Sequence, residues 1–230
     1  MKILAVDTTT SSCSVAVLEG NVTLAELTLS GRETHSRHLL KNIDDVLMES
    51  GLDIRDLGGF AVTTGPGSFT GLRIGLSTVK GLSAATGAPI AGVSSLMALA
   101  SGAPLYDGQI CAIIDARKNE VYASIYRHTG TGIKAITDEY VISPVDLAEK
   151  IHEKTLFVGT GVAVYRDTLV ETVGDNAFFC DEDYNRINAV NVGLLSLSDL
   201  GNSSSQAIDV VPDYIRKSDA EIGLEKKLSQ

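Results

Sequence analysis

The 230-residue chain is short of the groups from which most self-sufficient catalytic sites are built. It has three cysteines, Cys13, Cys111 and Cys180, an odd and widely spaced set with no Cys-x-x-Cys pair. That excludes a disulfide framework or a thiolate zinc knuckle and is expected of free, buried thiols in a reducing cytosol. Its four histidines include His35 and His38, three apart, with His128 and His152 far away and no His-x-x-x-His anywhere. A helical metal site wants two histidines on one face plus a further ligand, so metal chemistry has little to stand on here. There is no Gly-x-Ser-x-Gly elbow, and no Lys-Ser/Thr follows the glycine-rich loop, which removes the hydrolase-type nucleophile and the Walker A motif.

Positive charge is also scarce. The formal balance is −10, from 19 basic against 29 acidic residues, and an acidic chain repels phosphate backbones, so broad nucleic-acid binding by this chain alone is not expected, although it can contribute to a complex whose partner holds RNA. The longest uncharged stretch, Gly81 to Tyr106, is broken by Pro89 and Pro104 and rich in Gly, Ala and Ser. It reads as helix, strand and helix, not as a membrane span. Asp7 interrupts the first apolar run before a signal segment could form, so a cytoplasmic protein is expected.

What is present is a 44% hydrophobic chain with a core to bury. Ile3 to Asp7 suits a central strand, followed by alternating segments at Cys13–Val17 and Val22–Leu29. From Thr34 the period turns helical, through Leu39, Leu40, Ile43, Val46 and Leu47, with Gly51 where a C-terminal cap belongs. A strand is expected over 60–63, a helix over 70–86, a strand over 90–93 and a helix over 94–101. Cys111 to Asp115 echoes Leu4 to Asp7, and Val121, Ala123 and Ile125 repeat the offsets of Cys13, Val15 and Val17. A third strand over 134–140, a helix opened by Ser143-Pro144, a strand over 155–158 and a helix from about Gly161 follow. The order strand-strand-strand-helix-strand-helix thus occurs twice, which predicts an α/β protein of two domains with mixed sheets flanked by helices and a cleft between them. The boundary is expected near residue 106, giving domains 1–106 and 107–230, with the last helix packing back on the first. Asn202–Gln206 reads as a polar loop and Ala220–Gln230 as a charged tail.

Thr64-Gly65-Pro66-Gly67-Ser68-Phe69-Thr70-Gly71-Leu72-Arg73 is the densest motif. A glycine-rich loop between strand and helix presents amides to an anion, with Asp7, Gly67, Ser68, Thr70 and Arg73 as contacts, or it is a tight turn that seats a helix on a sheet. Gly71 and Gly75, four apart, permit close backbone approach. Against a phosphate role, the turns after Asp7 (Thr8 to Cys13) and after Asp115 (Ala116 to Glu120) hold no glycine.

Two halves that each open with a strand ending in Asp and a hairpin resemble the actin–hexokinase–heat-shock ATPase superfamily, a fold that is actin-like (ribonuclease H-like). More specifically, Ile3-Leu4-Ala5-Val6-Asp7-Thr8-Thr9, the Gly65–Gly75 stretch, Gly92-Val93-Ser94-Ser95-Leu96, Asp115-Ala116-Arg117, Glu120-Val121-Tyr122 and Pro212-Asp213-Tyr214-Ile215-Arg216 are similar to the TsaB (YeaZ) family. These matches span nearly the whole chain. The resemblance implies a role in making threonylcarbamoyladenosine beside the tRNA anticodon, as a non-catalytic scaffold and activator. Its implied partners are a second copy, a TsaD-type catalytic paralogue and a TsaE-type ATPase. ATP and metal are then expected on partner subunits, with none bound tightly by this chain alone. The resemblance also implies a helical pairing surface, assigned to His35, Arg37, His38 and Lys41 on the first helix and Gly71, Leu72, Gly75, Thr78 and Val79 on the second. The competing expectation is a nucleotide-hydrolysing or metal-dependent, glycoprotease-like enzyme.

Overall fold

The computed structural model describes residues 1–31, 35–130, 132–201 and 210–216, with the side chains of residues 35–37 outside that set. The Asn202–Gln206 loop and the Ala220–Gln230 tail of the sequence reading lie outside the described residues.

The first half runs β1 (Lys2–Asp7), β2 (Ser12–Glu19), β3 (Val22–Ser30), α1 (His35–Ser50), β4 (Gly59–Gly65), α2 (Phe69–Thr86), β5 (Ile90–Ser94) and α3 (Ser95–Gly102). The second runs β6 (Gln109–Arg117), β7 (Glu120–Thr129), β8 (Gly132–Ala135), β9 (Tyr140–Ile142), α4 (Pro144–Glu149), β10 (Thr155–Val158), α5 (Thr160–Val173), β11 (Ala177–Phe179) and α6 (Ala189–Gly201). The sheets are ordered β3-β2-β1-β4-β5 and β11-β10-β6-β7-β8, with β9 also on β7. Reading β6, β7, β10 and β11 as β1, β2, β4 and β5, the two orders coincide. The repeat therefore extends one strand and one helix beyond the expected unit. β11 escapes sequence reading because it has only three residues, and α6 because Gly193, Ser196 and Ser198 interrupt its apolar pattern.

Burial explains the layering. β1 pairs antiparallel with β2 and parallel with β4, so it is central and apolar on both faces. Ile3 and Ala5 face one way and join α3, α6 and the inner residues Ile110, Ala112 and Ile114 of β6 in one cluster. Leu4 and Val6 face the other way and pack under α1 and α2 with Leu39, Ile43, Leu76 and Val79. On the outer face of the second sheet, Cys111 and Ile113 meet Leu147 of α4 and Val162 and Leu169 of α5. The layers are thus α1/α2, first sheet, α3/α6, second sheet, α4/α5. α6 contacts β1, β2, β4 and β5. A Cβ at Gly193 would stand 2.5 Å from Leu18 Cδ1, so glycine there lets the helix lie on the first sheet.

One expected element is corrected. The third strand of the second half is not continuous over 134–140. β8 and β9 both pair with β7, but between Ala135 and Tyr140 the chain leaves the ladder. The amides of Ile136 and Thr137 both donate to the Ile125 carbonyl, and the Thr137 hydroxyl accepts from the Ile125 amide. This bulge carries Glu139 off the sheet. Among the described residues no helix is long and apolar enough to cross a membrane.

Candidate functional site

The carboxyl ends of β1, β4 and β5 meet, as parallel strands of an open α/β sheet do where ligands usually bind. β1 delivers Asp7, fully buried. Its Oδ1 accepts from the Thr9 amide (3.1 Å), the Thr9 hydroxyl (2.6 Å) and the Thr63 hydroxyl (2.7 Å). Ser95 at the start of α3 donates in turn to the Thr9 hydroxyl at 3.2 Å. Asp115 repeats this turn in the second half. Its Oδ1 accepts from the Arg117 amide (2.9 Å), again two residues on, and from the Tyr165 hydroxyl (3.2 Å). Both aspartates therefore brace turns in the manner of an Asx-turn. Arg117, Lys118 and Asn119 hold φ of 61°, 54° and 60°, a left-handed run that closes the β6–β7 turn.

The glycine loop is a seat for the first turn. β4 ends at Gly65, φ +123°, followed by a cis Gly65–Pro66 bond. Ser68 caps α2, accepting from the Gly71 amide at 3.3 Å, while its own amide donates to the Thr9 carbonyl at 2.7 Å. Gly67, Gly71 and Gly75 form one face at four-residue spacing. A Cβ on them would stand 2.4 Å from the Thr9 carbonyl oxygen, 1.9 Å from the Thr8 carbonyl oxygen and 2.5 Å from Thr8 Oγ1. The Thr8 hydroxyl donates to the Gly71 carbonyl at 2.7 Å. Threonine backbone thus packs directly on the glycine face, and the Ser68 and Gly71 amides bond within the chain.

The remaining expected site residues sort by face. Leu72 and Val79 are buried, as are Gly71 and Gly75, so these four point into their own chain. Thr78 is half-buried and Thr70 exposed. On α1, Lys41 is exposed and ion-paired with Asp45 one turn on, and His38 is half-buried. The side chains of His35 and Arg37 lie outside the described set. The exposed flank of α1 carries Leu40 and Met48, 59% and 77% accessible, and α1 contacts α2, on which Ile74 and Leu82 are partly covered.

Arg73 is drawn into an aromatic cluster. Its guanidinium lies 3.9 Å from the Phe69 ring centroid, its Nε donates to the Tyr214 hydroxyl at 3.2 Å, and Phe69 stacks on Tyr214 at 4.6 Å. Tyr214, Asp213 and Arg216 had entered the sequence reading as a motif with no role.

Glu139 had no sequence signal at all. The bulge places it where its carboxylate accepts from the hydroxyl of Ser94, the residue that caps α3, and, at 3.5 Å, from Tyr126. Burial raises the Glu139 carboxyl above the ordinary carboxylate value and nearby Asp213 adds to this, opposed by the Ser94 and Tyr126 hydroxyls. Among the described residues no group of three or more His, Cys, Asp and Glu is arranged to hold a metal.

Two halves of identical strand order, with α3 and α6 packed between their sheets, define an actin-like α/β protein. Component A of (R)-2-hydroxyglutaryl-CoA dehydratase from Acidaminococcus fermentans shares the fold, with a TM-score of 0.52 at 13% identity over 87% of this chain and 99% of that one. Far nearer is YeaZ from Pseudomonas aeruginosa, with a TM-score of 0.78 at 28% identity over 93% of this chain and 99% of that one. The family described as TsaD, tRNA N6-adenosine threonylcarbamoyltransferase, matches residues 23–224. The tRNA threonylcarbamoyladenosine biosynthesis protein TsaB of Escherichia coli (strain K12) is 38% identical over 173 residues, covering 73% of this chain and 74% of that protein. The Bacillus subtilis (strain 168) protein of the same name is 29% identical over 96% of both. The chain belongs to the TsaB (YeaZ) family, within the wider group that the TsaD description covers, and its place is in tRNA threonylcarbamoyladenosine biosynthesis.

Proposed function

We propose that the chain is a non-catalytic scaffold and activator of the tRNA threonylcarbamoylation machinery. It works with a TsaD-type catalytic paralogue and a TsaE-type ATPase, and reaches tRNA only through that complex. The observation that carries this reading is the filled glycine face. Where an anion would need exposed amides at the α2 N-terminus, Thr8 and Thr9 occupy the space and Ser68 caps the helix. ATP and metal accordingly act on the partner subunits. The exposed apolar flank of α1 and α2 is the pairing surface, used either for a second copy or for the paralogue. A shared surface makes the two dimers mutually exclusive.

The test is reconstitution. The chain alone is titrated calorimetrically with ATP and Mg²⁺, then combined with the paralogue and ATPase of the same organism in a tRNA modification assay. No saturable nucleotide binding by the isolated chain, with modification dependent on its presence, is the expected result. Tight, metal-dependent nucleotide binding and turnover by the chain alone overturns the scaffold reading in favour of an enzyme in its own right.

A further inference from the structure

The segment Val210–Arg216 touches both halves of the molecule within seven residues. At its start Val210 joins the outer cluster of the first sheet. The Asp213 amide donates to the Thr64 carbonyl at 2.7 Å, pinning the segment to the C-terminal end of β4. A Cβ at Gly65 would stand 2.7 Å from the Asp213 carbonyl oxygen, so the positive-φ glycine is also what lets the segment lie against the loop. Tyr214 stacks on Phe69 and accepts from Arg73, both on the first turn or so of α2. Two residues later the segment reaches the second half. Arg216 donates to the Ala116 carbonyl at 3.2 Å and pairs with Glu120 at 2.9 Å, bonding across both arms of the left-handed β6–β7 turn. The pair is partly screened from water, with side-chain exposures of 18% for Arg216 and 38% for Glu120.

We propose that Val210–Arg216 is a clasp. It ties the glycine loop of the first half to the β6–β7 turn of the second, so that order at one end depends on contacts at the other. The reasoning is geometric. A short extended segment held by a backbone hydrogen bond and a ring stack at one end, and by a bidentate-capable guanidinium at the other, transmits loss of either anchor along its length. The spacing of these two turns is then set by this segment as well as by the layers beneath it. The proposal stands independently of whether the chain is a scaffold or an enzyme.

Amide hydrogen exchange on the full chain tests it. Glu120→Ala removes the Arg216 ion pair from the second half while leaving every residue of the segment and of the glycine loop unchanged. Exchange at the Ser68 and Gly71 amides is expected to quicken about fivefold, the scale of one partly buried ion pair. Tyr214→Ala should in the same way quicken exchange at Arg117 to Glu120, and the double variant should add little to either single change. Circular dichroism monitors that each variant folds. If each substitution affects only its own end, or the two effects sum independently, there is no clasp.

Discussion

Glycine at position 71 is irreplaceable for a local reason, and the reason is the Thr8 carbonyl 1.9 Å from where a Cβ would sit. The clashing atom is backbone, held by the β1–β2 turn, and cannot rotate away. Gly71→Ala is expected to cost about 3 kcal/mol, the upper range for overpacking a well-filled interior. Gly81, on the same helix, has nothing within 4 Å of a Cβ. Gly81→Ala is expected to stabilise the chain by about 1 kcal/mol through helix propensity alone. Chemical denaturation of both variants, at concentrations where the chain is monomeric, separates the two. The contrast was invisible in the sequence, where the glycines of α2 look alike. The four-residue spacing of Gly71 and Gly75 announced a close approach but not its partner, which is the chain's own turn. Asp7 and Asp115 each accept from an amide two residues on, so the bracing of either turn depends only on its own stretch of chain.

At the scale of elements, α1 and α2 form the outer layer on the first sheet. On α1 the inward residues Leu39, Ile43, Val46 and Leu47 follow the helical period, although Leu40, read with them, is exposed; on α2 Leu72 and Val79, assigned from sequence to the pairing surface, are buried. Their outward face was not legible, because α2 is apolar or small nearly all round, and only the sheet's position says which stripe is covered. The proposed pairing surface therefore loses Gly71, Leu72, Gly75 and Val79, keeps Thr78, and gains Leu40 and Met48 of α1 and Ile74 and Leu82 of α2. Leu40→Glu combined with Met48→Glu places two charges on that surface without disturbing the core. Sedimentation is expected to show loss of the homodimer, and a pull-down loss of the TsaD-type paralogue, with unchanged circular dichroism. A variant that still dimerises puts the interface elsewhere. The same scale holds the bulge at Ile136–Glu139. Its cause is a side chain, Thr137, taking the place of a ladder partner at Ile125, which a hydrophobic pattern does not register.

The molecule as a whole is held at its seam by α3 and α6 between the sheets and by Glu139 reaching across to Ser94. Because burial and Asp213 raise the Glu139 carboxyl, the folded state binds its proton more tightly than the unfolded chain does. Its contribution is then most favourable below the unfolded carboxylate value and is lost as pH rises through the raised folded value. Beside burial, the Ser94 hydroxyl, Asp213 on the clasp and the Tyr126 hydroxyl are the groups that tune it. Glu139→Gln keeps an acceptor for Ser94 and removes the titration. Thermal unfolding is expected to show a higher melting temperature than the parent at neutral pH, with the gap narrowing as pH is lowered. An equal or growing gap on acidification contradicts that account.

The sequence by itself determined the strand and helix order of the first half and the duplication, because alternation, helical period and capping residues act within a few positions. It also determined the family, through motifs spread from Ile3 to Arg216. The tertiary structure alone decided what the glycines face, that β11 and α6 complete the second repeat, and that Glu139 and the 210–216 segment meet residues 45 to 149 positions away. Such contacts depend on how two sheets and their helices stack. That stacking is governed by the summed burial of the whole chain rather than by any short stretch of it.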